Sequence, residues 1–299
     1  MTRRSNEERL GGLPSVGAKE AADIPPMVVD NSVPTELAYV VPTELVELPS
    51  GGKLYPEGHA LHGVEDIEIK EMTAKEEDIL TTESFIRKGT IFDRLIKSIV
   101  VDKSIKVDDL LIGDRNAILI TARMSGYGPI YETEVTCPDC GAEDKNYGFD
   151  LRECPFRPPV DLETEEDTEL REFVSKGLGS TYFVTLPKSK MAVEIKLLTG
   201  KDERAITQAQ AMRKKNKLPE NALTEHFKRI ILSVNGVTDR IEIDRFIGLM
   251  PALDSQFLRK TFRKLTPNVS MTQEFVCDQC DYEQDLEVPM TPRFFWPDA

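Results

Sequence analysis

The chain has 299 residues, 40% of them hydrophobic and 30% charged, and a formal net charge of -14. That balance is ordinary for a soluble globular protein, and no apolar run approaches the roughly 20 residues that span a bilayer. So acidic a surface repels polyanions, which argues against nucleic acid as the main partner.

Arg3 and Arg4 are not followed by an apolar stretch, so no secretory signal is expected and synthesis is placed in the cytosol. Residues 1–47 carry Pro14, Pro25, Pro26, Pro34 and Pro42 and the small repeat Val33-Pro-Thr-Glu-Leu, Val41-Pro-Thr-Glu-Leu. Proline at this spacing keeps the backbone extended and removes donors. An N-terminal arm is therefore expected, either disordered or laid along a neighbouring subunit.

A first module is expected over 48–155. Leu48-Pro-Ser-Gly-Gly-Lys-Leu-Tyr-Pro-Glu-Gly is a turn-rich entry, and residues 64–72 alternate as a strand. Thr73-Ala-Lys-Glu is a capping box, and helices are predicted over 74–87, 90–101 and 114–125. A strand over 131–136 then delivers Cys137-Pro-Asp-Cys140-Gly. Residues 156–180 read as an acidic linker, with seven acids between Asp161 and Glu172 but no calcium-loop pattern.

The second module spans 181–290. Thr199-Gly-Lys-Asp repeats the capping box, with helices predicted over 201–215, 222–233, 242–249 and 254–265. Arg213-Lys214-Lys215 with Lys217 reads as a solvated helix end rather than a binding patch. A strand over 270–276 delivers Cys277-Asp-Gln-Cys280. Residues 291–299 form a tail whose Phe294, Phe295 and Trp296 either anchor on a partner or fold back on the chain. The fold class is α+β: two related, mostly helical modules with short strands, joined by a zinc-ribbon-like pair of cysteine knuckles.

The two modules look like copies. Ile67-Glu-Ile-Lys-Glu-Met-Thr-Ala-Lys-Glu-Glu and Val193-Glu-Ile-Lys-Leu-Leu-Thr-Gly-Lys-Asp-Glu agree at six of eleven positions. Phe92-Asp-Arg-Leu-Ile matches Phe227-Lys-Arg-Ile-Ile, and Glu134-Val-Thr-Cys-Pro-Asp-Cys matches Glu274-Phe-Val-Cys-Asp-Gln-Cys. Two modest cores are therefore favoured over one large core.

Four of the five cysteines fall in the two C-x-x-C pairs, and in a chain with no signal this reads as metal binding. Zinc takes four thiolates in a tetrahedron, and two intervening residues let one tight turn supply two of them. Cys137, Cys140, Cys277 and Cys280 are the expected ligands of one structural zinc per chain. Gly141 permits the bend of the first knuckle, whereas the second has Asp281 there. The 136 residues between Cys140 and Cys277 exceed any finger spacing, but a duplication accounts for them. A thiol oxidoreductase would place such a pair at a helix N-terminus, whereas both pairs here follow strands. A nucleic-acid-binding zinc ribbon is opposed by the flanking Asp139, Glu143, Asp144, Asp278, Asp281, Glu283 and Asp285. Cys154 is expected to be a packed thiol, with a lesser role as ligand. The three histidines, His59, His62 and His226, form no nucleophile or ligand pattern, so no enzyme is expected.

Glu47-Leu-Pro-Ser-Gly-Gly-Lys-Leu-Tyr-Pro-Glu-Gly, Thr73-Ala-Lys-Glu-Glu-Asp-Ile-Leu, Leu110-Leu-Ile-Gly-Asp-Arg-Asn-Ala-Ile-Leu and Ala122-Arg-Met-Ser-Gly-Tyr-Gly-Pro-Ile-Tyr lead in order to the first knuckle. Over about 47–151 this string resembles the baseplate hub and hub-assembly proteins of T-even-type contractile-tail bacteriophages. The resemblance implies a non-enzymatic role in building the tail baseplate, as a virion component or as a transient assembly chaperone. Other baseplate and hub proteins are the implied partners, in an oligomeric assembly, with no nucleic acid and no membrane. The implied location is the host cytoplasm during assembly, and the virion tail if the chain is retained.

Overall fold

The computed structural model describes residues 40–164, 166–288 and 292–295. The chain divides into units Met1–Val40 and Val41–Ala299, and the second carries all the helices and strands of the described residues. The expected arm up to residue 39, and Trp296, lie outside the described residues.

The architecture is α+β, as the element pattern predicts, with helices interspersed among several small antiparallel sheets. Strands β1 (Thr43–Glu47) and β2 (Asp66–Lys70) form a hairpin that buries Val46, Ile67 and Ile69 and turns charged neighbours outward. The last residues of the stretch expected as an arm are thus a strand. It begins directly after Pro42, which cannot donate to a ladder. Helices α1 (Ala74–Thr81), α2 (Glu83–Lys88), α3 (Ile91–Ile99) and α4 (Ile112–Tyr127) come next. The capping box forms, with the Glu76 carboxylate accepting the Thr73 amide at 3.1 Å. The helix predicted over 74–87 breaks at Thr82. The Thr81 and Thr82 hydroxyls donate back to the Glu77 and Asp78 carbonyls there, a competition that unsettles a helix. Strands β3 (Ile130–Thr136) and β4 (Glu143–Asp150) make the first knuckle hairpin.

The segment expected as an acidic linker carries β5 (Phe156–Arg157), α5 (Thr168–Phe173) and β6 (Val174–Lys176). Strands β7 (Thr181–Thr185), β8 (Ala192–Lys196) and β9 (Ile231–Val234) complete a four-stranded antiparallel sheet in the order β6-β7-β8-β9. Helices α6 (Gly200–Lys215) and α7 (Ala222–Ile230) lie between β8 and β9. The helix predicted over 222–233 stops at Ile230, because the β-branched and apolar run beyond it is taken up by pairing of Ile231 with Ile195. Helices α8 (Arg240–Leu249) and α9 (Ala252–Leu265) lead to β10 (Asn268–Val269) and to the second knuckle hairpin, β11 (Thr272–Val276) and β12 (Glu283–Glu287). A 3-10 turn, Pro292–Phe295, ends the described chain.

Several elements recur in the same order in both halves, with α2 of the first and α8 of the second standing outside the pattern. A hairpin (β1–β2, β7–β8) is followed by a capped helix (α1, α6). A second helix (α3, α7) then leads into a residue that pairs back on the hairpin, Val100 with Ile69 and Ile231 with Ile195. These pairings set Ile96 opposite Phe227, one helical turn from the Phe92/Phe227 match that sequence identity suggests. A further helix (α4, α9) then carries a fully buried aspartate in its first turn. Asp114 accepts the Ser50 amide at 2.9 Å, the Ser50 hydroxyl at 2.7 Å and the Tyr55 hydroxyl at 2.6 Å. Asp254 accepts the amides of Lys188 at 2.7 Å and Ser189 at 2.9 Å. Burial pushes the Asp114 carboxyl above its ordinary range, against the pull of these bonds from Tyr55 and Ser50.

The two halves do not have separate cores. One hydrophobic cluster runs from Val46 to Phe295 through both. Backbone joins them where Leu111 bridges Thr199, with the Ile112 amide donating to the Leu198 carbonyl (3.2 Å) and the Gly200 amide to the Leu110 carbonyl (3.0 Å). Beside that bridge Asp93 pairs with Arg115 at 2.6 Å and with Arg204 of the second half at 3.4 Å. Strand β5 pairs with β10 across the halves. Phe294 and Phe295 fold back instead of anchoring on a partner. Both are fully buried, against Tyr131 (5.0 Å between ring centroids) and Phe92 (5.7 Å). Arg123, also buried, donates Nε to the Phe294 carbonyl at 2.6 Å and Nη1 to the Gly128 carbonyl at 2.8 Å.

Helix α4 meets β10 at Gly113, where an added Cβ would lie 1.9 Å from the Pro267 carbonyl oxygen. Gly113→Ala is expected to cost about 1–3 kcal/mol of unfolding free energy in urea titration. Gly248→Ala, on an exposed turn of α8 with open space around it, is expected to add about 0.5–1 kcal/mol.

Candidate metal centre

Each C-x-x-C sequence occupies the loop of a hairpin, and the two loops close in the same way. The Cys137 amide donates to the Ala142 carbonyl (2.8 Å) and the Gly141 amide to the Cys137 carbonyl (3.0 Å). In the second loop the Cys277 amide donates to the Tyr282 carbonyl and the Asp281 amide to the Cys277 carbonyl, both at 2.9 Å. The bend requires a left-handed residue, which is Gly141 at φ 72° in one loop and Asp281 at φ 55° in the other. The absent glycine therefore does not prevent the second knuckle from forming. Aspartate, among the residues that tolerate this region, takes its place.

The loops bring Cys137, Cys140, Cys277 and Cys280 together, with all four sulfurs within 4.8 Å of one another. Cys137 Sγ lies 3.8 Å from Cys280 Sγ, and Cys140 Sγ lies 3.7 Å from Cys277 Sγ. The contacts thus cross between hairpins, and the thiols are free. Cys137 and Cys277 are buried, Cys140 and Cys280 exposed. Backbone amides turn inward toward the sulfurs. The Cys140 amide, helped by that of Asp139 and by neighbouring thiols, lowers the Cys137 thiol to about 7. At Cys280 the Tyr282 amide acts the same way. Desolvation and the thiols of Cys140, Cys277 and Cys137 outweigh it and push Cys280 up to about 12. Four sulfurs this close cannot all ionise without a compensating cation, so the donor set is one that could hold a metal ion.

Around the sulfurs is a small apolar cluster of Cys137, Phe275 and Cys277, flanked by Val135, Tyr147, Tyr282 and Leu286, separate from the main core. Tyr147 joins the hairpins: its ring stands 4.9 Å from that of Phe275, and its hydroxyl accepts the Val276 amide at 3.3 Å. Neither pair sits at a helix N-terminus, the placement that thiol–disulfide chemistry exploits. Cys154 is outside the group. It is buried, with the Gln273 amide nitrogen 3.1 Å from its sulfur. His59 stacks on Tyr55 and His226 packs edge-on against Phe262, so neither approaches the sulfurs. The polar segments after each knuckle, which carry the acids, are strands β4 and β12, held extended by the hairpin pairing.

Residues 41–174 match the family model described as T4 bacteriophage base plate protein. Over that stretch, under half of its length, the chain is similar to T4-type phage baseplate proteins. The match takes in Cys137 and Cys140 and stops short of Cys277 and Cys280. No curated protein and no solved structure matches the chain. Among the described residues, no helix is long and apolar enough to cross a membrane.

The left-handed residues offer a direct check on the knuckles. Gly141→Ala meets open space but an unfavourable φ, and is expected to cost about 1–2 kcal/mol of local stability. Asp281→Gly is expected to gain up to about 1 kcal/mol, by hydrogen exchange of the amides of 277–282.

Proposed function

We propose that this chain is a non-enzymatic protein of the tail baseplate hub of a T4-type phage, acting in baseplate assembly through contacts with other baseplate proteins. The observation that carries this is the family match over 41–174, which runs from β1 through the first knuckle hairpin into β6. The reading extends to the second half as a duplicated copy, with modules at 48–155 and 181–290, because several elements recur there in the same order. The host cytoplasm during assembly and the tail of the finished virion are the places assigned to it.

We further propose that Cys137, Cys140, Cys277 and Cys280 hold one structural zinc per chain. Zinc–sulfur bonds of about 2.3 Å place the sulfurs of a tetrahedral site about 3.8 Å apart, and the sulfur contacts of 3.7 and 3.8 Å agree with that edge. A closed set of four thiolates suits a structural ion and leaves no open position for chemistry. The apolar cluster around the sulfurs is small, and small cores need a staple.

Metal analysis of the purified chain is expected to give one zinc. Chelation is expected to release amide protection at the tips of β3–β4 and β11–β12 while α4 and β8 keep theirs. Absence of metal together with reversible disulfides in both pairs would replace the zinc reading with thiol redox chemistry. Mass spectrometry of mature virions is expected to detect the chain. Its presence only in assembly intermediates would make it a transient chaperone, and absence from both would sink the baseplate role.

A further inference from the structure

On this acidic chain, lysines gather around a hollow of about 530 Å³ at the joint between the halves. Lys97 comes from the last turn of α3, Lys103 and Lys106 from the following loop, and Lys201 from the first turn of α6. Lys103 is fixed as a helix cap, donating to the carbonyls of Lys97 (3.0 Å), Ser98 (3.4 Å) and Val100 (2.5 Å). Lys97, Lys106 and Lys201 make no ion pair or side-chain hydrogen bond among the described residues. Of the acids beside them, Asp108 pairs with Arg204, which leaves Asp102, held ionised by the Ser104 amide at 2.8 Å, and Asp109 against the ammonium groups of Lys97, Lys103, Lys106 and Lys201. Lys70 and Lys75 stand close enough to add to the field: after desolvation, they and Lys97 lower the charge affinity of Lys103.

We propose that this hollow is a docking site for a short acidic segment of a partner protein. Ammonium groups on flexible stems are point charges that accept carboxylates at varied spacing, so they suit an extended acidic stretch better than one rigid ligand. The hollow has the volume of a site for a few side chains. A nucleic acid would run beyond it onto a surface belonging to a chain of net charge -14, whereas a short peptide ends within it. A loop of the first half and a helix of the second form the two walls, so an occupant would rest on both.

The test uses the full chain and a fluorescent oligoglutamate peptide, read by anisotropy at low salt. Binding is expected, weakening as salt screens the charges. The K97E/K106E/K201E variant is expected to lose about tenfold or more in affinity with an unchanged circular dichroism spectrum. Should that variant misfold, Lys106→Ala alone is expected to weaken binding measurably, and K214E/K215E, on the far part of α6, to leave it unchanged. No binding at low salt, or equal binding by the reversed variant, overturns the proposal. So does tighter binding of an oligothymidylate of the same length, which would make the hollow a nucleic-acid site. Self-association abolished by the same substitutions would assign it to a second copy and overturn it likewise.

Discussion

Two carboxylates without solvent hold the architecture in register. Asp114 and Asp254 each sit in the first turn of the helix that precedes a knuckle hairpin, and each accepts hydrogen bonds from the turn after a hairpin's first strand, Asp114 from one amide and two hydroxyls and Asp254 from two amides. A buried carboxylate is costly unless hydrogen-bonded, so each loop has few alternative seats. Each bond set therefore fixes the angle between a small sheet and a long helix. The helix in turn aims the hairpin that carries two cysteines. Sulfur atoms separated by more than a hundred residues of chain meet because two such lever arms are pinned at their far ends.

The four-cysteine group adds to contacts that the rest of the chain makes without it. The halves are already joined by a shared core, by the Leu111–Thr199 bridge, by the pairing of β5 with β10 and by the ion pairs of Asp93. Such burial does not depend on an ion. The outer ends of the knuckle hairpins are different: Tyr131 and Phe149 tie the base of β3–β4 into the main core, but nearer the cysteines little beyond Tyr147 and Phe275 is covered, and two-stranded ribbons are marginal alone. The sulfur cluster thus lies between the outlying ribbons, apart from the contacts that unite the halves.

Much of this was legible in the residues. Both capping boxes, the strands before the cysteines, α4, α6, α8 and α9 and the grouping of four cysteines follow from periodicity, caps and C-x-x-C spacing. The failures have physical causes. Strands such as Glu283–Glu287 carry almost no apolar alternation and exist because a partner strand is tethered opposite. The apolar run around Ile230 satisfies a helix or a strand equally, and only the neighbouring β8 decides. Apolar faces recur with every helical turn, so sequence identity pairs Phe92 with Phe227 while the bridges at Val100 and Ile231 set Ile96 opposite Phe227. The shared core was out of reach because it depends on contacts between distant segments, including the Phe294 carbonyl on Arg123. Asp114 and Asp254 gave no signal as anchors, since an aspartate in a first helical turn is ordinarily a solvent-exposed partner of the helix dipole.

The seat of Phe294 on Arg123 has a consequence for the order in which the protein can be made. A ribosome releases the first half long before residue 294 emerges, and domains tend to fold as they appear. Until then the Arg123 guanidinium lacks one of its carbonyls, and the faces of Tyr131 and Phe92 that the terminal rings cover stay open. The first half thus cannot complete its packing from its own residues, because the distal end of the chain supplies the last of it. Completion of the first half is then a report that translation has passed through the second.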